Sequence, residues 1–107
     1  MCEKYLRDLF IMFDVTKVSD SVTGGIRCSS FTTCGRTCST HINLETEGRT
    51  IRSVEIVKGC DGNTKGLARL CVGRKMEDVI CLLEGIDCKG RGTSCPDQLA
   101  RALKELR

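Results

Sequence analysis

The sequence predicts a single α+β domain, a small antiparallel sheet with three helices packed on one face. Three observations carry this. Apolar residues alternate at strand spacing between Cys38 and Val57, three stretches after Gly59 carry apolar residues at helical spacing, and strands come before helices. A chain of 107 residues is long enough for one hydrophobic core and too short for two.

The first 30 residues read as an N-terminal extension or flexible linker, ahead of a domain over 31–107. Tyr5, Leu6, Leu9, Phe10 and Phe13 fall at helical spacing, and a Ser, Thr and Gly stretch from Thr16 to Gly25 follows them. A docking helix, a frayed tail and translation from an upstream start all fit the opening segment. From Cys38 the pattern sharpens. Thr40, Ile42 and Leu44 alternate with His41, Asn43 and Glu45; Glu47-Gly48 makes a turn; and Val54 and Ile56 alternate with Ser53, Glu55 and Val57. This is a β-hairpin with one buried face.

A helix starts after the turn Gly59-Cys60-Asp61-Gly62-Asn63, with Asp61 or Asn63 as its cap and Leu67, Leu70 and Cys71 on one face. Beyond Gly73, Met76, Val79, Ile80 and Leu83 fit a second helix. Glu77 and Asp78 suit its positive end, and Gly85 stops it. A Gly-rich loop through Cys88, Gly90 and Gly92 leads to Thr93-Ser94-Cys95-Pro96-Asp97. There Pro96 suits the first helical position, and Leu99, Leu103 and Leu106 form the apolar stripe of a last helix. Arg101, Lys104 and Arg107 face its negative pole.

Composition narrows the function classes. The chain is 40% hydrophobic and 29% charged, ordinary for a folded protein, and its net charge of +3 is spread thinly among alternating signs. Nucleic acid is therefore not an implied partner, and one Tyr and three Phe cannot build a stacking platform for single strands. The apolar run Leu9 to Phe13 is short and flanked by Asp8 and Asp14, so neither a membrane span nor a signal peptide is expected. The expected compartment is the cytoplasm, where thiols stay reduced. The nine cysteines, an odd number, then read as ligands, reactive groups or core residues before disulfides.

Cys60 and Cys95 stand at helix mouths, where unpaired amides and the positive end of the helix favour an anionic sulfur, the form that binds metal or attacks disulfides. Cys38 opens the hairpin, and Cys88 lies in the loop before Cys95. Together Cys38, Cys60, Cys88 and Cys95 can close a four-sulfur site for zinc or an iron-sulfur cluster. No Cys-x-x-Cys pair is present, so such a site is assembled from distant parts of the chain. Of the other thiols, Cys71 and Cys81 read as core filler within helices, and Cys2, Cys28 and Cys34 as stray surface or loop thiols. His41, the one histidine, alternates to the solvated face.

Thr93-Ser94-Cys95-Pro96-Asp97, continuing through Gln98-Leu99-Ala100, resembles the signature of the TSCPD domain family. The resemblance extends to Cys38-Ser39, to Gly59-Cys60-Asp61-Gly62-Asn63 and to Gly85-Ile86-Asp87-Cys88, from about Phe31 onward. Such domains occur as short stand-alone proteins and at the C-terminus of adenosylcobalamin-dependent ribonucleotide reductases. The resemblance implies metal binding or a role in assembly, with a ribonucleotide reductase or another protein as partner. A more distant similarity is to iron-sulfur cluster assembly scaffold proteins, with Cys38, Cys60 and Cys95 in their three cysteine places. Ser94 stands where the scaffolds carry a histidine and Thr40 where they carry an aspartate, and Cys88 can supply the fourth ligand.

Three functional classes follow. The first is a metal-binding accessory domain. The second is a thiol-disulfide module in which Cys95 attacks and Cys88 resolves. The third is an interaction domain without metal, docking through Leu9 and Phe10. Autonomous ribonucleotide reduction is not expected, because one small core cannot hold a radical site, a cofactor and a nucleotide.

Overall fold

The computed structural model describes residues 14–35, 37, 39–58, 61–87, 90 and 92–106. Four strands form one antiparallel sheet in sequential order: β1 (Thr16–Thr23), β2 (Ile26–Thr32), β3 (Ser39–Glu47) and β4 (Thr50–Lys58). Three helices follow, α1 (Asp61–Cys71), α2 (Met76–Leu83) and α3 (Cys95–Leu106), giving the expected α+β class.

The stretch expected to be a linker is instead the first hairpin. Thr16–Thr23 pairs with Ile26–Thr32, and Gly24 and Gly25, at φ +61° and +83°, form its two-residue turn. Both turn positions need positive φ, which glycine adopts without steric cost, so Gly24-Gly25 is a hairpin signal in its own right. The strand is hard to read from sequence because all eight residues of β1 are exposed and no apolar alternation marks it. The expected opening helix, residues 1–13, lies outside the described residues.

The β3–β4 hairpin forms where the alternation places it, with two irregularities that decide which side chains face inward. The register slips between Glu45 and Thr46, leaving Arg52 out of the strand register, so Ile51 and Val54 both reach the core although three residues apart. It slips again between Ser39 and His41, so Thr40 and His41 are exposed and Ser39 turns inward together with Ile42. The expectation that Thr40 shares the buried face with Ile42 and Leu44 is thus corrected, and Ser39 takes that place.

Phe31, Ile42, Leu44, Ile51 and Val54 from the sheet pack against Cys71, Met76, Val79, Ile80, Leu99, Ala102, Leu103 and Leu106 from the helices. Each large side chain so buried contributes roughly 1.5–3 kcal/mol, which makes this layer contact the main source of stability. The apolar stripes expected for α2 and α3 are the ones found. In α1 the inward face is Thr64, Leu67, Ala68 and Cys71, whereas Leu70, expected there, is exposed. Cys81, expected in the core, is exposed as well.

The α1–α2 connection runs along the outer edge of β4. Gly73 N–H donates to Ile51 O at 2.8 Å, Ile51 N–H to Arg74 O at 2.9 Å and Met76 N–H to Arg49 O at 2.8 Å. An Arg49–Glu77 ion pair closes the same seam. The first residues of that edge are thereby satisfied, while β1 forms the opposite edge, with no further strand paired to it among the described residues. No helix of the described residues is long and apolar enough to cross a membrane.

Candidate functional site at the start of the last helix

The Thr93-Ser94-Cys95-Pro96-Asp97-Gln98 segment is a polar knot, and four of its six side chains are fully buried: Thr93, Ser94, Asp97 and Gln98. Buried polar groups are tolerated only when they are paired, and each of these is. Ser94 caps α3: its carbonyl accepts Gln98 N–H at 2.8 Å and its hydroxyl accepts Asp97 N–H at 3.1 Å. The same hydroxyl donates to Ile86 O at 2.6 Å, pinning the loop after α2 to the start of α3. The helix therefore begins at Cys95, one residue before Pro96.

Asp97 is the centre of the knot. Its carboxylate accepts the Gly85 N–H at 2.7 Å, the Thr93 hydroxyl at 2.5 Å and the Arg101 Nε–H at 2.9 Å. Burial pushes this carboxyl up, but the Thr93, Gly85 and Arg101 donors together outweigh it and hold the group below the usual carboxylate range. Arg101, expected to face the negative pole of the helix, is buried and reaches back one turn to Asp97. Lys104 stands in the last turn, as expected, and pairs with Glu84; Arg107 lies outside the described residues. Gln98 completes the knot, donating through Nε2 to Thr93 Oγ1 at 3.0 Å and accepting Cys34 N–H on Oε1 at 2.9 Å.

Cys95 differs from the four sealed residues of the knot. It is half-buried rather than sealed, and its Sγ lies 3.2 Å from the Ser39 hydroxyl. Helix α3 supplies the sulfur at its first residue, where backbone amides lack helical partners, and β3 supplies the hydroxyl through its bulge at Thr40. Of the predicted ligand set, Cys95 is the described member; Cys38, Cys60 and Cys88 lie outside the described residues. Their chain neighbours are described. Ser39, directly after Cys38, touches Cys95, and it pairs across the β3–β4 ladder with Lys58, two residues before Cys60. Lys58 has φ 62°, a left-handed conformation costly for a non-glycine residue, at the point where β4 hands over to the turn before α1. Asp87, directly before Cys88, accepts Gly90 N–H at 2.7 Å and Gly92 N–H at 2.5 Å, folding that loop tightly.

Among the described residues no group of three or more His, Cys, Asp or Glu side chains is close enough to hold a metal ion. A half-buried cysteine at a helix mouth, with a hydroxyl on its sulfur, is nonetheless a donor that suits zinc or an iron-sulfur cluster in kind. The other described thiols sort cleanly. Cys71 is buried, and desolvation pushes it up; Cys28 and Cys81 are exposed, with Cys28 Sγ beside Glu45 at 3.8 Å. His41 is on the solvated face, as its alternation indicates.

Sequence reasoning gave Ser39 no role of its own, and placed Cys34 in a loop, where it lies. Cys34, read as a stray thiol, has its backbone held by Gln98 in the loop that leads into β3. Neither spacing nor composition marks Ser39, because only the register slip at Thr40 turns it toward α3.

No curated protein and no solved structure matches the chain significantly. The TSCPD domain model matches residues 15–107, which include β1 and β2 as well as the signature segment, and on this match the chain belongs to the TSCPD domain family.

Proposed function

We propose that this protein is a small cytoplasmic metal-binding accessory domain related to the C-terminal domains of ribonucleotide reductases, with Cys38, Cys60, Cys88 and Cys95 as thiolate ligands of zinc or an iron-sulfur cluster. One observation carries the reading. Within a signature segment whose Thr93, Ser94, Asp97 and Gln98 form a sealed structural knot, Cys95 keeps a half-buried side chain at the mouth of α3, its sulfur on the Ser39 hydroxyl. Supporting it, described bonds tie the chain neighbours of the other three cysteines to the same end of the fold: Ser39 to Cys95, Ser39 to Lys58, and Ile86 to Ser94.

Four thiolates brought from four separate segments would crosslink the sheet, both loops and α3. Metal binding would then be folding free energy, and the bound ion would be retained rather than passed on. A ribonucleotide reductase, or another protein of an assembly pathway, is the partner this reading implies. The runner-up is thiol-disulfide exchange between Cys95 and Cys88, favoured by the accessibility of Cys95.

Anaerobic purification followed by measurement of zinc, iron and sulfide per chain tests the reading, alongside Cys38→Ser, Cys60→Ser, Cys88→Ser and Cys95→Ser variants. Near-stoichiometric metal in the wild type, lost in all four variants, is the expected result, and chelation should lower the melting temperature sharply. A metal-free, cooperatively folded wild type that forms a reversible Cys88–Cys95 bridge would replace it with the exchange reading.

A further inference from the structure

Ser39 is 1% exposed, and its hydroxyl has two partners: Cys95 Sγ at 3.2 Å and Thr37 Oγ1 at 3.0 Å. Thr37 Oγ1 also lies 3.2 Å from the Ser39 carbonyl oxygen, and Thr33 Oγ1 donates to that carbonyl at 2.7 Å. The backbone of Ser39 is thus fixed on the loop side, and its hydroxyl is fixed between a sulfur and a second hydroxyl.

The hydrogens in this chain can be arranged in two ways without moving any heavy atom. With Cys95 as a thiol, Cys95 donates to Ser39, Ser39 to Thr37, and Thr37 to the Ser39 carbonyl. A metal-bound sulfur carries no hydrogen and can only accept, so Ser39 donates to Cys95 and Thr37 donates to Ser39. Every donor is used in both arrangements, so taking up a metal ion leaves no buried hydroxyl unsatisfied. An apolar residue at 39 would leave the sulfur without that donor, and a residue held out by regular β3 register would not reach it at all. The register slip at Thr40 is what delivers the hydroxyl.

We propose that Ser39 is the positioning residue of the Cys95 sulfur, donating its hydroxyl hydrogen to Cys95 Sγ in the metal-bound state with Thr37 as its support. The inference rests on the metal-binding reading and adds to it a residue outside the ligand set. Hydrogen bonds of this kind orient a ligand and draw charge from it, and their loss typically costs about 10–100-fold in metal affinity.

The test is an anaerobic titration of the reduced, full-length chain with cobalt(II), read by the sulfur-to-cobalt charge-transfer band and by the dissociation constant. Wild type, Ser39→Ala, Ser39→Thr and Thr37→Val are compared, with circular dichroism and melting of each apo form as the fold check. Ser39→Ala is expected to weaken binding about tenfold and to shift the band, whereas Ser39→Thr, which keeps the hydroxyl, restores most of both. Should Ser39→Ala not fold, Thr37→Val decides, because it removes the supporting hydroxyl at a half-buried position and should shift the band in the same direction by less. Wild-type affinity and band in Ser39→Ala, or equal losses in Ser39→Ala and Ser39→Thr, overturn the role of Ser39 while leaving the metal site standing. A wild-type protein that takes up no cobalt overturns the metal reading and this inference with it.

Discussion

The two ends of α3 are anchored by opposite strategies. At its start, Asp97 is sealed from water and holds the Gly85 amide, the Thr93 hydroxyl and the Arg101 guanidinium at once. At its end, Arg27 of β2 donates to Leu106 O at 3.2 Å while gripping Asp20 of β1 through Nε at 2.8 Å and through a second nitrogen at 2.5 Å. That second cluster includes Lys17 and Ser29, and its hydrogen bonds, Arg27 first, hold the Asp20 carboxyl well below the usual range, but its charged members are partly solvated. A buried charge network is costly to break, because each orphaned group stays away from water. A solvated one reforms its bonds with water and is screened by salt. Similar chemistry should therefore give unequal energetics.

Removing the buried carboxylate is the harshest way to test the contrast. Asp97→Ala strips the acceptor from the buried Thr93 hydroxyl and Arg101 guanidinium, and from the Gly85 amide, and should cost about 3–5 kcal/mol in urea unfolding. Its signature is also in the pH dependence. The folded carboxyl lies below its unfolded value of about 3.9, so its contribution is fully present above that value and is lost as pH falls through the depressed one. The stability gap between wild type and Asp97→Asn should hold from neutral pH down to about 4 and close in more acid solution. A gap that widened on acidification would reverse the assignment. Next in size is the cap: Ser94→Ala removes the acceptor for Asp97 N–H and the donor to Ile86 O, for a loss of about 1–2 kcal/mol by the same measurement. Smallest is Arg27→Ala, for which less than about 1 kcal/mol is expected, shrinking further in high salt. If Arg27→Ala rivalled Asp97→Ala, exposure would not be what separates the two ends.

The helices and the β3–β4 hairpin were legible because burial writes a period into the sequence. Met76, Val79, Ile80 and Leu83 can share a face only in a helix, and Ile42 and Leu44 only in a strand. Strand β1 escaped because all eight of its residues are exposed, Val18 and Val22 among them, and no period is imposed where no face is buried. The Gly24-Gly25 turn was its one local signal. Leu70 and Cys81 misled for the converse reason, since an apolar residue type does not fix which side of a helix is covered.

The signature segment shows the same division more finely. Sequence alone determined that Cys95 stands at a helix start, that Ser94 and Pro96 suit that start, and that the chain joins strands to helices in this order, because those features follow from local backbone preference and apolar spacing. Only the tertiary structure decided that Asp97 is sealed in the core with the Gly85 amide and the Thr93 hydroxyl on it, that Arg101 is buried against it, and that Ser39 reaches Cys95. Each of those contacts joins residues by way of a loop, a bulge or a helix turn, and a hydrogen-bond partner brought from elsewhere in the chain leaves no periodic mark on the sequence around it.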